Sequence, residues 1–420
     1  MNEAKQKFRL TGLERAWILY DVGNSAFVLL VATLIPIFFN ALAEEGGLSS
    51  VEYLAYWGYA ASAVTVITAV LSPILGTLAD TRNYKKPIFT FCVAVGVIGC
   101  CAMGMASTWL PFLLIFIFAK VGFSGSLVFY DSMLSDVTVP DRMDEVSSKG
   151  YAWGYIGSCV PFVVCLALVL GSSAVGLSQM TALSIALIIT AVWWLMVTLP
   201  LLKKYRQINY VEVEQHAIRQ SFVRIGQTLK HLPQDKQVFW FLLAFFCYID
   251  GVYTIIDMAT AYGTALGLDT TGLLLALLVT QIVAFPSALI FGRLSQKYES
   301  KTLIPVCIAA YTGIAVFAFF LKSQWQFWVL AVVVGMFQGG VQALSRSHFA
   351  KIIPQEKSGE YFGLFDICGK GASFLGTMIV SVGSQLTGSA NVGVGSIAIL
   401  FVIGFVLFGI STRTEETKQV

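Results

Sequence analysis

Charged and polar side chains recur at helical spacing inside four long apolar stretches of this sequence. They are Asp21 with Asn24 and Ser25, Lys120 with Ser124 and Asp131, Asp250 with Tyr253, Thr254 and Asp257, and Gln338 with Gln342, Ser345 and Arg346. Residues three or four positions apart share one face of a helix, so each stretch carries a polar stripe. Charges inside a bilayer are expensive and usually face a bundle interior or a water-filled cavity. The pattern favours reversible binding of a polar solute.

Lys120 is the sharpest candidate for contact with the solute. Positions three and four residues away from it carry no opposite charge, so we expect its counter-charge on another helix or on the ligand. Asp250 is the first choice for coupling to H⁺ or Na⁺, because burial favours the protonated form of a carboxyl group. The alternative for Asp250 is a fixed structural charge paired with Lys120 or with a backbone donor.

Further ionisable residues lie near the ends of apolar stretches or pair within one helix. For Asp131 and Arg346, a gating or inter-loop salt bridge is favoured over substrate contact. Asp21 lies about two turns inside its stretch and suits either purpose. Asp366 and Lys370 are four residues apart, acid before base, which favours an intrahelical pair. This pair either neutralises two costly charges or takes part in transport, and the sequence leaves both readings open.

The composition is that of a membrane protein. Hydrophobic residues make up 57% of the 420 residues, charged residues only 12%, and the mean hydropathy is +0.76. A net charge of +3 is too small to indicate nucleic-acid binding. The eight cysteines lie in apolar runs and indicate neither a metal site nor a redox pair. The three histidines lack metal-ligand or catalytic-triad companions, so the sequence predicts no enzyme and no cofactor.

The apolar stretches are long enough for an all-α membrane protein with twelve transmembrane helices, since a span needs about 20 residues. They are expected at residues 16–39, 53–79, 86–106, 109–134, 150–172, 179–202, 237–265, 270–295, 302–321, 325–350, 359–386 and 392–411. The long hydrophilic connection divides the chain into two six-helix bundles, residues 1–202 and 237–420. The linker, residues 203–236, carries Phe222, Ile225, Leu229 and Leu232 at helical spacing, which predicts a short helix on the membrane surface.

Basic residues predict the orientation. Nearly all of the 27 Lys and Arg residues fall on one side of the proposed spans, and short cytoplasmic loops are enriched in these residues. We therefore expect both termini in the cytoplasm and the chain in the inner (plasma) membrane of a bacterium. No nucleotide-binding phosphate loop is present in the sequence, so ATP-driven transport is not expected.

The two halves repeat each other. GTLADTRNYKKP follows the second span and GRLSQKYESK follows the eighth, each with a glycine at the helix end and a charged turn. A second match, at nearly the same separation, joins VTVPDRMDEVSSKGYAWGYIG to AKIIPQEKSGEYFGLFDICG. Parallel repeats of this kind occur in secondary transporters whose substrate site lies between the halves at the midplane. The sequence predicts two pseudo-symmetric bundles around a central cavity.

The first loop resembles the cytoplasmic loop signature of the major facilitator superfamily, with one extra residue between its acid and its arginine. The residues that carry the resemblance are Gly76, Asp80, Arg82, Lys85 and Lys86. LYDVGNSAF, FYDSMLSDV, YAWGYIG, YIDGVYTI, QALSRSHFAKIIP and YFGLF are similar to the first unknown major facilitator family, relatives of the fungal vacuole effluxer of autophagy. The resemblance covers nearly the whole chain. Asp131 departs from it, because asparagine is expected there, and the extra charge affects the expected cation or proton dependence.

The resemblance implies a major facilitator fold whose first, fourth, seventh and tenth spans line the cavity, in agreement with the polar stripes. It also implies an amino-acid-like substrate. A zwitterion needs a cation for its carboxylate, such as Lys120, and carboxylates for its ammonium group, such as Asp250 and Asp257. We expect a monomeric secondary transporter, coupled to H⁺ or Na⁺, whose partners are this small solute and the lipid bilayer. A lysolipid or hydrophobic-compound flippase and a non-transporting membrane sensor are the competing interpretations.

Overall fold

The computed structural model describes residues 9–212 and 217–419, without the side chains of residues 50, 51, 54, 217–219, 260, 261, 265, 270, 271, 274, 370–374 and 415–419. The first half contains α1 (Gly12–Ala32), α2 (Leu34–Glu45), α3 (Ser50–Ala79), α4 (Lys85–Met103), α5 (Trp109–Ser132), α6 (Leu134–Val137), α7 (Pro140–Leu170) and α8 (Gln179–Lys204). The linker contains α9 (Ala217–His231). The second half contains α10 (Lys236–Ala265), α11 (Thr270–Leu294), α12 (Ser300–Phe319), α13 (Gln324–Ile352), α14 (Ser358–Thr387), α15 (Ala390–Gly395) and α16 (Ala398–Gln419).

The predicted helical membrane architecture is confirmed. Among the described residues, 11 helical segments are long and apolar enough to cross a bilayer, with α1 and α2 forming one segment and α15 and α16 lying in another. The long helix α14 completes the twelve. It has the length of a span, about 20 residues or more.

Two helix boundaries differ from the prediction for local reasons. The first span breaks between α1 and α2, because Pro36 has no N–H to donate to the carbonyl of Ala32, four residues earlier. The fifth span was expected at residues 150–172, but α7 begins at Pro140. Proline suits the first turn of a helix, where its missing N–H has no intrahelical partner. The added turns carry charged residues beyond the apolar segment.

The two halves pack their helices in the same pattern. In the first half, α1 packs against α7 and α8; in the second, α10 packs against α14 and α16. The halves meet where α3 packs against α14 and where α7 packs against α11. The repeat in the sequence therefore corresponds to a repeat in the helix packing. Aromatic rings fill the interior of each half, for example Phe27 stacked on Trp194 and Phe245 stacked on Phe365.

The ends of α3, α13 and the linker lie on one face, which we call the basic face. It carries Lys85, Lys204, Arg224 and Lys351. On this face the start of the linker is fastened to the first half: Tyr205 donates to the Asp136 carboxylate at 2.5 Å, and Val211 N–H donates to the Asp80 carbonyl at 2.7 Å. The linker helix α9 turns Ser221 and Thr228 inward and leaves Phe222 and Leu229 exposed. Leu232, expected on the same helical face, lies in a following 3₁₀ turn.

Candidate functional site

Arg346 of α13 crosses from the second half into an aromatic cage built by the first half. Its guanidinium carbon lies 4.7 Å from the ring centroid of Trp17, 5.4 Å from that of Tyr130 and 4.3 Å from that of Tyr151. Only 2% of the residue is exposed. Desolvated cation–π contacts of this kind stabilise a buried guanidinium.

Hydrogen bonds to the first half hold the same guanidinium. Arg346 Nη1 donates to Asp131 Oδ1 at 3.0 Å, Nε donates to Ser147 Oγ at 2.9 Å, and Nη2 donates to the Ser147 carbonyl at 3.0 Å. Nη2 also lies 3.4 Å from Asp21 Oδ2, which accepts a further hydrogen bond from the Tyr130 hydroxyl at 2.8 Å. One cation thus joins two carboxylates, and its partners belong to α1, α5 and α7. We call this set the arginine clamp.

Small residues let the helices approach around the clamp. A Cβ atom at Gly150 would lie 2.6 Å from Asp21 Oδ2 and 3.1 Å from Arg346 Nη2. Asn24, one of the predicted cavity residues, is buried beside Asp21; its Nδ2 donates to the Tyr20 carbonyl at 3.1 Å and lies 3.4 Å from Asp21 Oδ1. The structure therefore places Asn24 beside the clamp.

Asp80 makes a second link between the halves by capping a helix of the opposite half. Its Oδ1 accepts from Gly359 N–H at 2.7 Å and its Oδ2 from Glu360 N–H at 2.8 Å, in the first turn of α14. These N–H groups have no partner within their helix, and a carboxylate there also suits the helix dipole. A side chain at Gly76 would overlap the Gly359 carbonyl, so glycine is required at this contact.

Lys85 completes this second link. It is fully buried, donates from Nζ to Ser358 Oγ at 2.8 Å, and lies 3.6 Å from Asp80 and 3.8 Å from Asp136. Burial raises the pKa of Asp80 to about 6, although the positive charge of Lys85 acts in the opposite direction. Of the other two loop residues, Arg82 is exposed and pairs with Glu212 of the linker, and Lys86 is half-buried.

The second half repeats this arrangement in the opposite direction. Gln296, which follows Gly292 as Asp80 follows Gly76, donates to the Glu145 carboxylate of α7. A Cβ atom at Gly292 would lie 2.9 Å from Ser148 Cβ. On the same face Lys351 binds Asp144 at 2.6 Å. Together with the clamp, these contacts close the molecule at the basic face.

Farther from the basic face, Lys120 of α5 and Asp257 of α10 bring opposite charges from the two halves. Lys120 Nζ lies 4.7 Å from the ring centroid of Phe123 and 6.0 Å from that of Phe27. Its positive charge attracts the Asp257 carboxylate, which is exposed. Ser124, one turn along from Lys120, is buried.

Tyr253 lies between this charge pair and the clamp. It is half-buried and lies one helical turn from Asp257. The carboxylates of Asp131, Asp366 and Asp257 are all near its side chain. The Asp366 carboxylate accepts a hydrogen bond from Ser72 of α3 at 2.7 Å. The side chain of Lys370, its predicted partner, lies outside the described residues.

Asp250 lies in a different environment from Asp257 although both belong to α10. It is fully buried against α14, where its Oδ1 accepts from Gly376 N–H at 2.9 Å and from Thr254 Oγ1 at 3.3 Å. Its Oδ2 is buried without a hydrogen-bond partner among the described residues. The structure thus places Asp250 and Thr254 at a helix contact within the second half, with Lys120 attracting Asp257 instead.

Several residues at the centre of the molecule were not among the sequence candidates. Tyr151 and Trp17 belong to the aromatic cage, Ser147 binds Arg346, and Tyr155 lies next to Tyr151, with 6.1 Å between ring centroids. Aromatic and serine residues are common in apolar helices, so no pattern in the sequence distinguishes these four from their neighbours. Of the predicted glutamines, Gln338 is buried and Gln342 is half-buried.

Comparison with known proteins gives one consistent result. A sequence model of the family described as "Vacuole effluxer Atg22 like" matches residues 13–142 and 135–419. The uncharacterized MFS-type transporter YxiO of Bacillus subtilis is 42% identical over 419 residues, covering 98% of each chain. Autophagy-related protein 22 of Coccidioides immitis is 24% identical, over 82% of this chain and 70% of the fungal protein. The major facilitator superfamily transporter FucP in its outward conformation superposes with a TM-score of 0.72 at 14% identity, over 95% and 97% of the chains.

Proposed function

Because the chain belongs to the vacuole effluxer Atg22-like family of MFS-type transporters, we propose that it carries a small zwitterionic solute of the amino-acid class by alternating access. In this proposal the chain works as a monomer in a bacterial plasma membrane, with the basic face in the cytoplasm. The structure then corresponds to a state closed toward the cytoplasm. Transport requires a second state in which the arginine clamp and the Asp80 cap are released.

The observation that carries the proposal is that Lys120 and Asp257 bring opposite charges close enough to attract each other. The two charges come from different halves, and Asp257 is exposed to solvent. A zwitterion placed between them would give its carboxylate to the ammonium group and its own ammonium group to the carboxylate. Hydrogen bonds in which a partner is charged are about twice as strong as neutral ones. A ligand that joins the two halves also favours the closed arrangement around itself.

Asp250 supports coupling to protons. An ionised carboxylate that is fully buried needs a cation or a full set of donors, and Asp250 has two donors on one oxygen and none described on the other. We propose that Asp250 is protonated in this state and releases its proton when α10 and α14 separate. Coupling then follows if solute release depends on that separation.

Flux of radiolabelled amino acids in proteoliposomes tests the proposal. Lys120→Gln and Asp257→Asn should each lower flux at least tenfold, since a charged hydrogen bond is worth roughly 1.5–3 kcal/mol. Lys322→Gln, which removes an exposed lysine in the turn between α12 and α13, is the matched control and should leave flux unchanged. Wild-type flux equal to that of empty liposomes for the amino acids would refute the substrate class.

The same vesicles test coupling separately. In Asp250→Asn, exchange of solute across the membrane should persist while a pH gradient no longer drives accumulation. If Asp250→Asn still accumulates solute against its gradient when pH alone supplies the energy, Asp250 is not the coupling site.

A further inference from the structure

Three neutral side chains in the interior near Tyr253 leave buried polar atoms without hydrogen bonds to the described residues. The Tyr155 hydroxyl, the Tyr311 hydroxyl and Gln338 Oε1 are each buried and unpartnered among the described residues. Native structures contain few such atoms, and each needs an explanation. We call Tyr155, Tyr311 and Gln338 the neutral cluster.

Tyr155 and Gln338 lie at the junction of the two halves, where α7 packs against α13, and Tyr311 lies on α12, which packs against α13. Tyr155 belongs to α7, Gln338 to α13 and Tyr311 to α12. A Cβ atom at Gly339 would lie 3.1 Å from Tyr155 Cε2, so the ring of Tyr155 lies against the backbone of α13 beside Gln338. Gln338 and Tyr155 are close enough to interact but do not complete a hydrogen bond through Gln338 Oε1.

The cluster is continuous with the proposed substrate site. Tyr253, one turn from Asp257 on α10, lies near both Tyr155 and Tyr311. Tyr155 also lies next to Tyr151, whose ring covers Arg346. The cluster is therefore close both to Tyr253, beside the charge pair, and to Tyr151 of the arginine clamp.

We propose that the neutral cluster is a second subsite that binds the side chain of the solute, and that the preferred solutes are amino acids with a carboxamide side chain. This inference rests on the proposed function, because Lys120 and Asp257 are assigned to the backbone charges of the amino acid. Two phenol hydroxyls can each donate and accept, and Gln338 Oε1 accepts. A carboxamide offers two N–H donors and a carbonyl acceptor, which matches this set. None of the three side chains carries a charge that would pair with an ionised side chain.

An apolar side chain at this position would leave the three polar atoms without partners. Sites built to hydrogen-bond a polar group discriminate strongly against analogues that lack it, since the buried groups of the site stay unpaired. The cluster thus gives a physical reason for preferring L-glutamine or L-asparagine over L-leucine, which has a similar size.

Competition for uptake in proteoliposomes, with L-glutamine, L-asparagine and L-leucine as probes, tests this inference. We expect wild type to favour L-glutamine or L-asparagine over L-leucine by tenfold or more. Tyr155→Phe and Gln338→Met should each lower carboxamide uptake roughly fivefold to tenfold, the loss of one hydrogen bond, and change L-leucine uptake less than twofold. Tyr262→Phe is the matched control, because its hydroxyl donates to the Ala318 carbonyl within the second half; it should leave the ratio unchanged.

Folding is monitored by the thermal midpoint without solute. Tyr155→Phe removes a hydroxyl that has no described partner, so its midpoint should stay at the wild-type value or rise; Tyr311→Phe provides a second variant of the same kind. Wild-type vesicles that transport all three amino acids equally, or a Tyr155→Phe variant with an unchanged ratio, would overturn the inference while leaving the proposed function intact. The absence of any amino-acid flux in wild type would instead refute the proposed function, and this inference with it.

Discussion

Arg346 Nη1 and Asp131 Oδ1 lie 3.0 Å apart, and the two residues are 215 positions apart in the chain. That separation is close to the 216 positions between the repeated loop glycines Gly76 and Gly292, so the pair occupies equivalent positions of α13 and α5. Residues related by the pseudo-symmetry of the two halves meet near its axis, here with opposite charges. The Arg346–Asp131 contact at the closed basic face therefore requires the two pseudo-symmetric positions to carry opposite charges.

Arg346→Gln should open the basic face. The substitution leaves the buried Asp21 and the half-buried Asp131 without their cation, and breaking a buried pair in this way costs about 3 kcal/mol or more. Spin labels at Tyr84→Cys and Tyr298→Cys in a cysteine-free background, one exposed position in each half, should show a longer distance. Arg142→Gln is the control, because Arg142 pairs with Glu14 inside the first half; it should not change the distance, and an unchanged distance in Arg346→Gln would contradict the clamp.

Asp131→Asn should open the basic face less than Arg346→Gln. Asparagine keeps an oxygen acceptor for Arg346, and Asp21 remains as a counter-charge. We expect a shift of about 1 kcal/mol in the equilibrium between closed and open states, the value of a single hydrogen bond. The same pair of spin labels measures it. An effect as large as that of Arg346→Gln would mean that Asp131 alone holds the arginine.

Gly150→Ala should destabilise the protein, because the added methyl group would meet Asp21 and Arg346 at 2.6 and 3.1 Å. Overpacking of this kind costs about 1–3 kcal/mol. The thermal midpoint in detergent provides the measurement. Gly313→Ala, a helical glycine with open space around its Cβ position, should leave the midpoint unchanged or raise it. Equal midpoints for the two variants would argue against a tight contact at Gly150.

The pH dependence of stability should contain a contribution from Asp80. Its pKa is raised to about 6 by burial, from roughly 4 in an unfolded chain, so between these values the folded protein binds more protons. The contribution to stability is therefore fully present below pH 4 and is lost as the pH rises through 6. The thermal midpoints of wild type and Asp80→Asn are measured at each pH. The midpoint of wild type minus that of Asp80→Asn should decrease as the pH rises from 5 to 7. A constant difference over that interval would contradict the burial of an ionisable Asp80.

The order of the helices could be predicted because membrane spans are long apolar runs and because two loops repeat. The residues of the arginine clamp could be named for a similar reason: a charge in an apolar helix is conspicuous. The partners of Arg346 could be named only in part. Ser147 lies in a segment that was expected to be a loop, and the three aromatic rings of its cage resemble ordinary membrane-helix residues.

The distinction between Asp250 and Asp257 could not be predicted. The two residues are seven positions apart on α10, which places them on nearly the same face of a helix. Only the packing of α14 against one end of that face buries Asp250 while leaving Asp257 exposed. Lys85 likewise appeared in the sequence as a loop lysine, and its complete burial depends on Ser358 and Asp136 from distant parts of the chain.

The most direct test of the central claim is the thermal stabilisation of the purified protein by three forms of one solute. A ligand that binds the folded state raises the thermal midpoint. L-glutamine should raise it, whereas L-glutamine with its α-carboxylate converted to an amide, or with its α-amino group acetylated, should not. The Lys120→Gln and Asp257→Asn variants should lose the response to L-glutamine. Equal stabilisation of wild type by all three compounds would contradict recognition of a zwitterion between Lys120 and Asp257.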